Sequence, residues 1–341
     1  MGSGRNIGRL ALTLIAVVAT SCSDAIAQVS GLDGTLVIVN KRADSVSIVD
    51  VGTGRELAVL PTGAGPHEVA VSPDGRTAVI TDYGGRQAGN TLTVVDLPDL
   101  RVTRTIDLGK YERPHGVAWL PGGEQVLVTS ESTRSVIVVE IESGRVRSAL
   151  PTDQAGSHML ALPARAGRVW TSNIADGTVS EIDLESGSTA RVIEVAEQPE
   201  AIGITPDGVE VWVGSNEEGT ISVVDAVEGG VSPVLDGFRW PYRVHITPDG
   251  DRVLIPDLRA EELRIVARAT RAELHRIDLT GGAPQGVTTT PDGRTAFQSL
   301  SESGVVLVID VETGMVRDSL PARQGPDGVA YSPISVGPGG P

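Results

Sequence analysis

The sequence predicts an all-β fold: a seven-bladed β-propeller, four antiparallel strands per blade, the last blade closed by N-terminal strands. Three observations predict it. A motif of the form Gly-Pro-x-x-Val-Ala-x-Ser-Pro-Asp-Gly recurs seven times, its second position falling at 66, 114, 157, 199, 241, 284 and 326. The intervals are 48, 43, 42, 42, 43 and 42 residues, the size of one four-stranded blade. The composition, with 41 glycines and 21 prolines in 341 residues, suits many short strands joined by many turns.

Each element of a repeat follows in order. In the first, Val69 to Ser72 reads as strand a. Pro73-Asp74-Gly75 is a tight turn, because Pro presets φ and Gly takes the left-handed position. Thr77 to Thr81 reads as strand b, Leu92 to Asp96 as strand c and Val102 to Ile106 as strand d. The turn from c to d carries an acid and usually a glycine, as in Asp50 to Gly54 and Asp310 to Gly314. The acid can accept from the turn amides. Blade five departs from this, with Ala267 in the aspartate position.

The seventh motif, at Gly325, has no strands b, c and d after it. Those strands stand at the other end of the chain, beginning near Thr35, Ser45 and Glu56. One C-terminal and three N-terminal strands therefore complete the last blade, which removes the open sheet edges. The propeller is expected over 28–333, followed by a Gly/Pro tail over 334–341.

The N-terminus reads as an export signal. Arg5 and Arg9 precede an apolar run of ten residues, Leu10 to Ala19, too short to span a bilayer as a mature helix. Two processing routes are open. Ala25-Ile26-Ala27 is a small-residue cleavage site that would release a soluble chain from Gln28. Cys22, the lone cysteine, sits where a lipoprotein would be acylated, which would leave a lipid anchor. Either route places the domain outside the cytoplasm, periplasmic or extracellular. A single cysteine excludes an intramolecular disulfide framework and a CxxC metal site. The net charge of -16 argues against nucleic-acid partners and anionic lipid, which need a basic face. No transmembrane span and a monomer are expected.

The Pro-Asp-Gly turn after Gly-Pro-x-x-Val-Ala-x-Ser, together with the strand ending SVSIVD at Ser45, resembles the YVTN-type β-propeller repeats of secreted proteins. The resemblance covers nearly all of the mature chain. It implies the fold. Such repeats occur in lactonase-like enzymes, surface-layer proteins and accessory proteins of export compartments, so no single function follows.

Propeller geometry puts strand a innermost and gathers the d-to-a and b-to-c connections on one face. The long first interval carries its extra residues there, in Tyr83 to Asn90 and around Lys110 to Arg113. Variable loops on a rigid scaffold are where binding residues usually lie. The position after the motif proline opens strand a at the channel mouth. Round the ring it reads His67, His115, His158, Glu200, Tyr242, Gln285 and Asp327. Three of the chain's five histidines occupy this one position in consecutive blades. Neutral imidazoles with a carboxylate suit Zn, Cu, Fe or Mn, so His67, His115, His158 and Glu200 are candidate ligands of a divalent transition metal. The plainer reading is a water-filled polar channel.

A second ring is expected at the ends of strand b, including Asn40, Asp82, Asn173 and Asp257. These either cap loops or offer hydrogen bonds to a polar ligand. Arg113 and Arg243 could hold a carboxylate or phosphate, or pair with Asp82, Glu68 or Asp327. Tyr83, Tyr111, Trp240 and Tyr242 fall on the same face and could stack on a flat ligand. Trp119, Trp170 and Trp212 fall within strands and are expected in blade packing. No G-x-S-x-G elbow, phosphate loop or dinucleotide fingerprint occurs. Three functions remain open: an exported propeller binding a small-molecule or protein ligand at this face without catalysis, a metal-dependent lactonase-like hydrolase, lyase or oxidase, and a surface or assembly protein of the kind the resemblance includes.

Overall fold

The computed structural model describes Met1, residues 31–163 and residues 167–337. The expected signal peptide, with both processing routes, and residues 338–341 lie outside the described residues.

Seven four-stranded antiparallel sheets follow one another round an axis. Blade 1 runs from Pro66 to Asp107, blade 2 from Pro114 to Pro151, blade 3 from Ser157 to Glu194 and blade 4 from Pro199 to Leu235. Blade 5 covers His245–Asp278 and blade 6 Pro284–Pro321. Blade 7 joins Pro326–Ser332 to three strands spanning Thr35 to Pro61, with Thr35 paired to Ser332 and Val37 to Ala330. The expected closure is present.

Each b strand is buried along most of its length because it is covered on both faces. TLVIVN at Thr35–Asn40 is buried at every position. Each d strand, at the rim, is largely exposed, as in ELHRID at Glu273–Asp278. The cores lie between blades. Leu36, Ile38 and Val49 of blade 7 meet Phe297, Val306 and Val308 of blade 6. Trp212 packs with Val244 and Val253 across the blade 4–5 junction. Trp170 does the same with Ile202 and Val211, and Trp119 Nε1 donates to Ala70 O of the preceding blade at 3.1 Å. Burying such a side chain contributes roughly 1.5–3 kcal/mol.

Three details differ from the sequence reading. Blade 1 lengthens its b–c hairpin to Thr77–Gly84 and Ala88–Asp96, with Gly84 paired to Ala88. The insertion is therefore partly strand. In blade 5 the inner strand shrinks to His245–Ile246; its partner strand carries Pro256, which has no N–H to give the ladder. The tail does not leave the body at 334. Ile334 and Val336 pack on the blade 7–1 core, and Thr35 Oγ1 donates to Ile334 O at 2.7 Å.

One irregularity recurs and positions the site. In blade 1, Pro66 pairs with Asp82 but Val69 with Ile80, so strand a carries one extra residue at 67–68. The same shift occurs between Pro114 and Val117, Ser157 and Leu160, Pro199 and Ile202, and Pro284 and Val287. A bulge re-aims side chains. Here it lets two consecutive residues of the inner strand, such as His67 and Glu68, both reach the channel.

Candidate functional site

The bulges are held by hydroxyls from strand b. Thr81 Oγ1 accepts from Glu68 N at 3.0 Å and donates to His115 O of the next blade at 2.9 Å. Thr129 Oγ1 accepts from Gly116 N at 2.8 Å and donates to His158 O at 2.5 Å. Ser172 Oγ accepts from Met159 N and donates to Glu200 O at 2.9 Å. Ser299 Oγ donates to Asp327 O at 2.7 Å. Each hydroxyl thus ties its own blade to the next residue of the ring. Gly116 allows the approach, since a Cβ there would stand 2.8 Å from Leu160 N.

The three ring histidines meet. His67 and His115 have ring centroids 4.0 Å apart, and His115 and His158 3.7 Å. His67 Nε2 lies 3.1 Å from His115 Nε2 and 2.6 Å from Lys41 Nζ. His158 Nδ1 bonds Glu131, and His158 Nε2 lies 3.6 Å from Glu200 Oε1. Tyr83 stands edge-on to both His67 and His115, at 5.5 and 5.3 Å, and its hydroxyl donates to Glu131 Oε2 at 2.8 Å. His67 Nδ1, His115 Nδ1 and His158 Nε2 are buried without a hydrogen-bond partner. His67 Nδ1 is 3.1 Å from Asp327 Oδ2 and 3.5 Å from Glu68 Oε1, neither in hydrogen-bonding geometry.

Charge is concentrated here. Lys41 pairs with Asp327 at 3.2 Å. Arg243 pairs with Glu68 and stands 3.5 Å from Glu200. Burial works to raise the Glu68 carboxyl, but Arg243 and His67 overcome it and hold it at about 2. Glu200, also pushed up by burial, is brought down to about 2 by His158, Arg243 and Asn216. Burial disfavours the charged form of His158, yet Glu131 and Glu200 raise it to about 9. His115 is driven well down by burial and by the charges of its two histidine neighbours. Lys41 and Arg243 are two fixed cations facing four carboxylates: Glu68, Glu131, Glu200 and Asp327.

Of the residues singled out from sequence, His67, His115, His158, Glu200, Tyr83, Trp240, Tyr242, Arg243 and Asp327 are brought together. Trp240 Nε1 donates to Glu200 Oε2 at 3.1 Å, and Tyr242 Oη to Asp327 Oδ1 at 3.3 Å. Arg113 sits at the edge, its guanidinium 4.8 Å from the Tyr83 ring. Tyr111 packs on the blade 1–2 core beneath Lys110. The strand-b ends turn into the blades. Asn40 donates to Ser45 and Ser47, Asn173 to Thr178 and Ser180, and Asp82 accepts from Thr91 and Thr93. Asp257 accepts from the amides of Arg239, Trp240 and Ala260. His245, off the ring, reaches Thr289 of the next blade at 3.0 Å.

Sequence reasoning missed Lys41, Glu131 and Asn216 and named Glu68 only as one partner open to Arg113 or Arg243, a pairing that Arg243 makes. Lys41, Glu131 and Asn216, with Tyr83, occupy the position one residue past the strand-b end. Side chains alternate along a strand, so this next residue faces the channel when its neighbour faces the blade.

Known proteins agree on the fold. The YNCE-like beta-propeller family model matches residues 14–122, in keeping with the YVTN-type repeats. No curated protein matches the chain. Among solved structures, hydrazine synthase of Kuenenia stuttgartiensis is 19% identical, with a TM-score of 0.72 over 81% of this chain and 92% of its own. A Bacteroides fragilis protein described as a candidate 6-phosphogluconolactonase is 14% identical, with a TM-score of 0.69 over 89% and 99%. A protein of unknown function from Desulfotomaculum acetoxidans is 14% identical, with a TM-score of 0.73 over 87% and 98%. Among the described residues, no helix is long and apolar enough to cross a membrane.

Proposed function

We propose that this chain is an exported, small-ligand-binding propeller that takes a cation into the polar cup at its channel mouth. One observation carries the reading: two fixed cations, Lys41 and Arg243, together with His158, which Glu131 and Glu200 favour in its protonated form, face four carboxylates. One negative charge is left for a ligand to balance, and a buried carboxylate in excess of its cations is costly. Export is supported by the charged and then apolar N-terminal stretch.

The test is a thermal-shift and calorimetric panel on the mature protein. It holds divalent metal ions, tetramethylammonium and putrescine on one side. On the other are phosphate and 6-phosphogluconolactone, the anionic ligand suggested by the description of one structural relative. A ligand at a hundred times its Kd stabilises by about 2.7 kcal/mol, which a melting curve resolves. Stabilisation by a cation, and none by the anions, is expected. Binding of the phosphorylated lactone alone would overturn the reading in favour of an enzyme of lactonase type. Recovery of the expressed protein in the cytoplasm with its leader intact would overturn export.

A further inference from the structure

The pairing of the ring nitrogens says which cation. Each of the three imidazoles has one nitrogen engaged and one free. His67 Nε2 faces Lys41 Nζ and His115 Nε2, leaving Nδ1; His115 keeps Nδ1; His158 Nδ1 is held by Glu131, leaving Nε2. His67 and His115 are 5% and 1% exposed, so the free atoms are removed from bulk solvent. A histidine oriented through one nitrogen by a carboxylate, its other nitrogen bare, is the usual state of a metal ligand, and His158 on Glu131 is in that state. The donors also cluster. Ligand atoms of His67, Glu68 and His115 lie within 4.8 Å of one another, and so do those of His115, Glu131 and His158.

We infer that the channel mouth is a metal site in which His115, with either His67 and Glu68 or His158 and Glu131, holds one divalent ion of the imidazole-preferring class, Zn2+ or Cu2+. This deepens the cation-cup reading and rests on it. Imidazole nitrogens select Zn2+ and Cu2+ over Ca2+ and Mg2+, which want all-oxygen shells. His115 belongs to both donor groups, so its loss removes either arrangement. The hydroxyls of Thr81 and Thr129 fix the backbone of His115 and His158 before an ion arrives, which lowers the ordering cost of binding.

The untagged mature protein, stripped with a chelator, is offered Zn2+, Cu2+, Ca2+, Mg2+ or tetramethylammonium. Binding is followed by calorimetry and by elemental analysis after desalting. About one equivalent of Zn2+ or Cu2+ should be retained, and no Ca2+ or Mg2+. His115→Gln should lose at least ~100-fold in affinity, and Glu131→Gln, which removes the carboxylate that orients His158 and belongs to one of the two donor groups, at least ~10-fold. His245→Gln, off the ring, should bind like wild type, and circular dichroism of the chelated variants should match it. A second readout needs no variant: the Co2+-loaded wild type should show the ligand-field bands of an imidazole-bound ion in place of the aquo spectrum. Retention of neither Zn2+ nor Cu2+, equal binding by His115→Gln, or an aquo-like Co2+ spectrum would overturn the metal site. Tetramethylammonium binding without metal would overturn it while leaving the cation cup standing. Binding of no cation would sink both.

Discussion

Arg243 of blade 5 and Glu68 of blade 1 form an ion pair across the channel, one residue further along the inner strand than the histidine ring. Both side chains are largely buried. The pair is a strut as well as a floor: it joins blades that are not neighbours, and Arg243 Nη1 also donates to Tyr242 O at 2.7 Å.

Removing the guanidinium leaves Glu68 buried without its partner and takes one of the cations from Glu200. Arg243→Met should therefore cost about 3–5 kcal/mol. Adding Glu68→Gln to it should recover part of that loss, because the stranded charge goes too. Urea unfolding of the two single variants and the double variant measures the coupling. Additive losses would show that the two groups do not depend on one another.

Acid stability follows from the same carboxyls. Glu68 and Glu200 are held at about 2 in the folded protein, against ~4.3 for a free glutamate. Folded pKa values below the unfolded ones mean that the stability they contribute is present above pH ~4.3 and lost as pH falls toward 2. The wild type should lose on the order of 2 kcal/mol per carboxyl over that window. The Glu68→Gln/Glu200→Gln variant should show a shallower slope there. Identical slopes would mean that neither carboxyl is held down.

Asp82 carries the opposite sign. Burial raises it to about 6, outweighing the hydroxyls of Thr91 and Thr93 that bond it. A folded pKa above the unfolded ~3.9 means that the protein binds a proton on folding between those values and loses stability as pH rises from about 4 to 6. Blades 7 and 3 place Asn40 and Asn173 at the same position, each donating to two hydroxyls of strand c. Asp82→Asn should keep those two bonds with donor and acceptor exchanged. It should stabilise the protein by roughly 1–2 kcal/mol at pH 7 and leave it unchanged near pH 4. Destabilisation at pH 7 would show that the carboxylate is needed.

How much of this was legible differs between the rings. The repeat itself aligned His67, His115, His158 and Glu200, since residues at one motif position take one place in every blade. The strand-b ring was read one residue short. Asp82 and Asn40 turn into their blades, while Tyr83 and Lys41 turn to the channel. The b strands are buried on both faces, so no regular alternation of polar and apolar residues marks which side the last residue takes. The meeting of Glu68 with Arg243 was one of several pairings the sequence left open, for another reason. A regular strand would point them away from the ring position, and the bulge that brings them in leaves no mark of its own in composition or spacing.

The hydroxyl of Thr129 links these two levels and can be removed alone. It accepts from Gly116 N and donates to His158 O, so it pairs one buried donor and one buried acceptor in adjacent blades. Blades 1 and 3 use Thr81 and Ser172 in the same way, ahead of His115 and Glu200, and in blade 6 Ser299 donates to Asp327 O. Blade 7 has Val39 there and precedes His67, whose ring is held instead by Lys41. Thr129→Val preserves shape but strands both backbone groups, at a cost of about 1–3 kcal/mol. The carbonyl of His158 loses its anchor with them, so ligand affinity at the mouth should fall alongside stability. Thr129→Ser keeps the hydroxyl and should restore both. Stability that falls with Thr129→Val while affinity stays at the wild-type level would show that the hydroxyl supports the blades and not the ring.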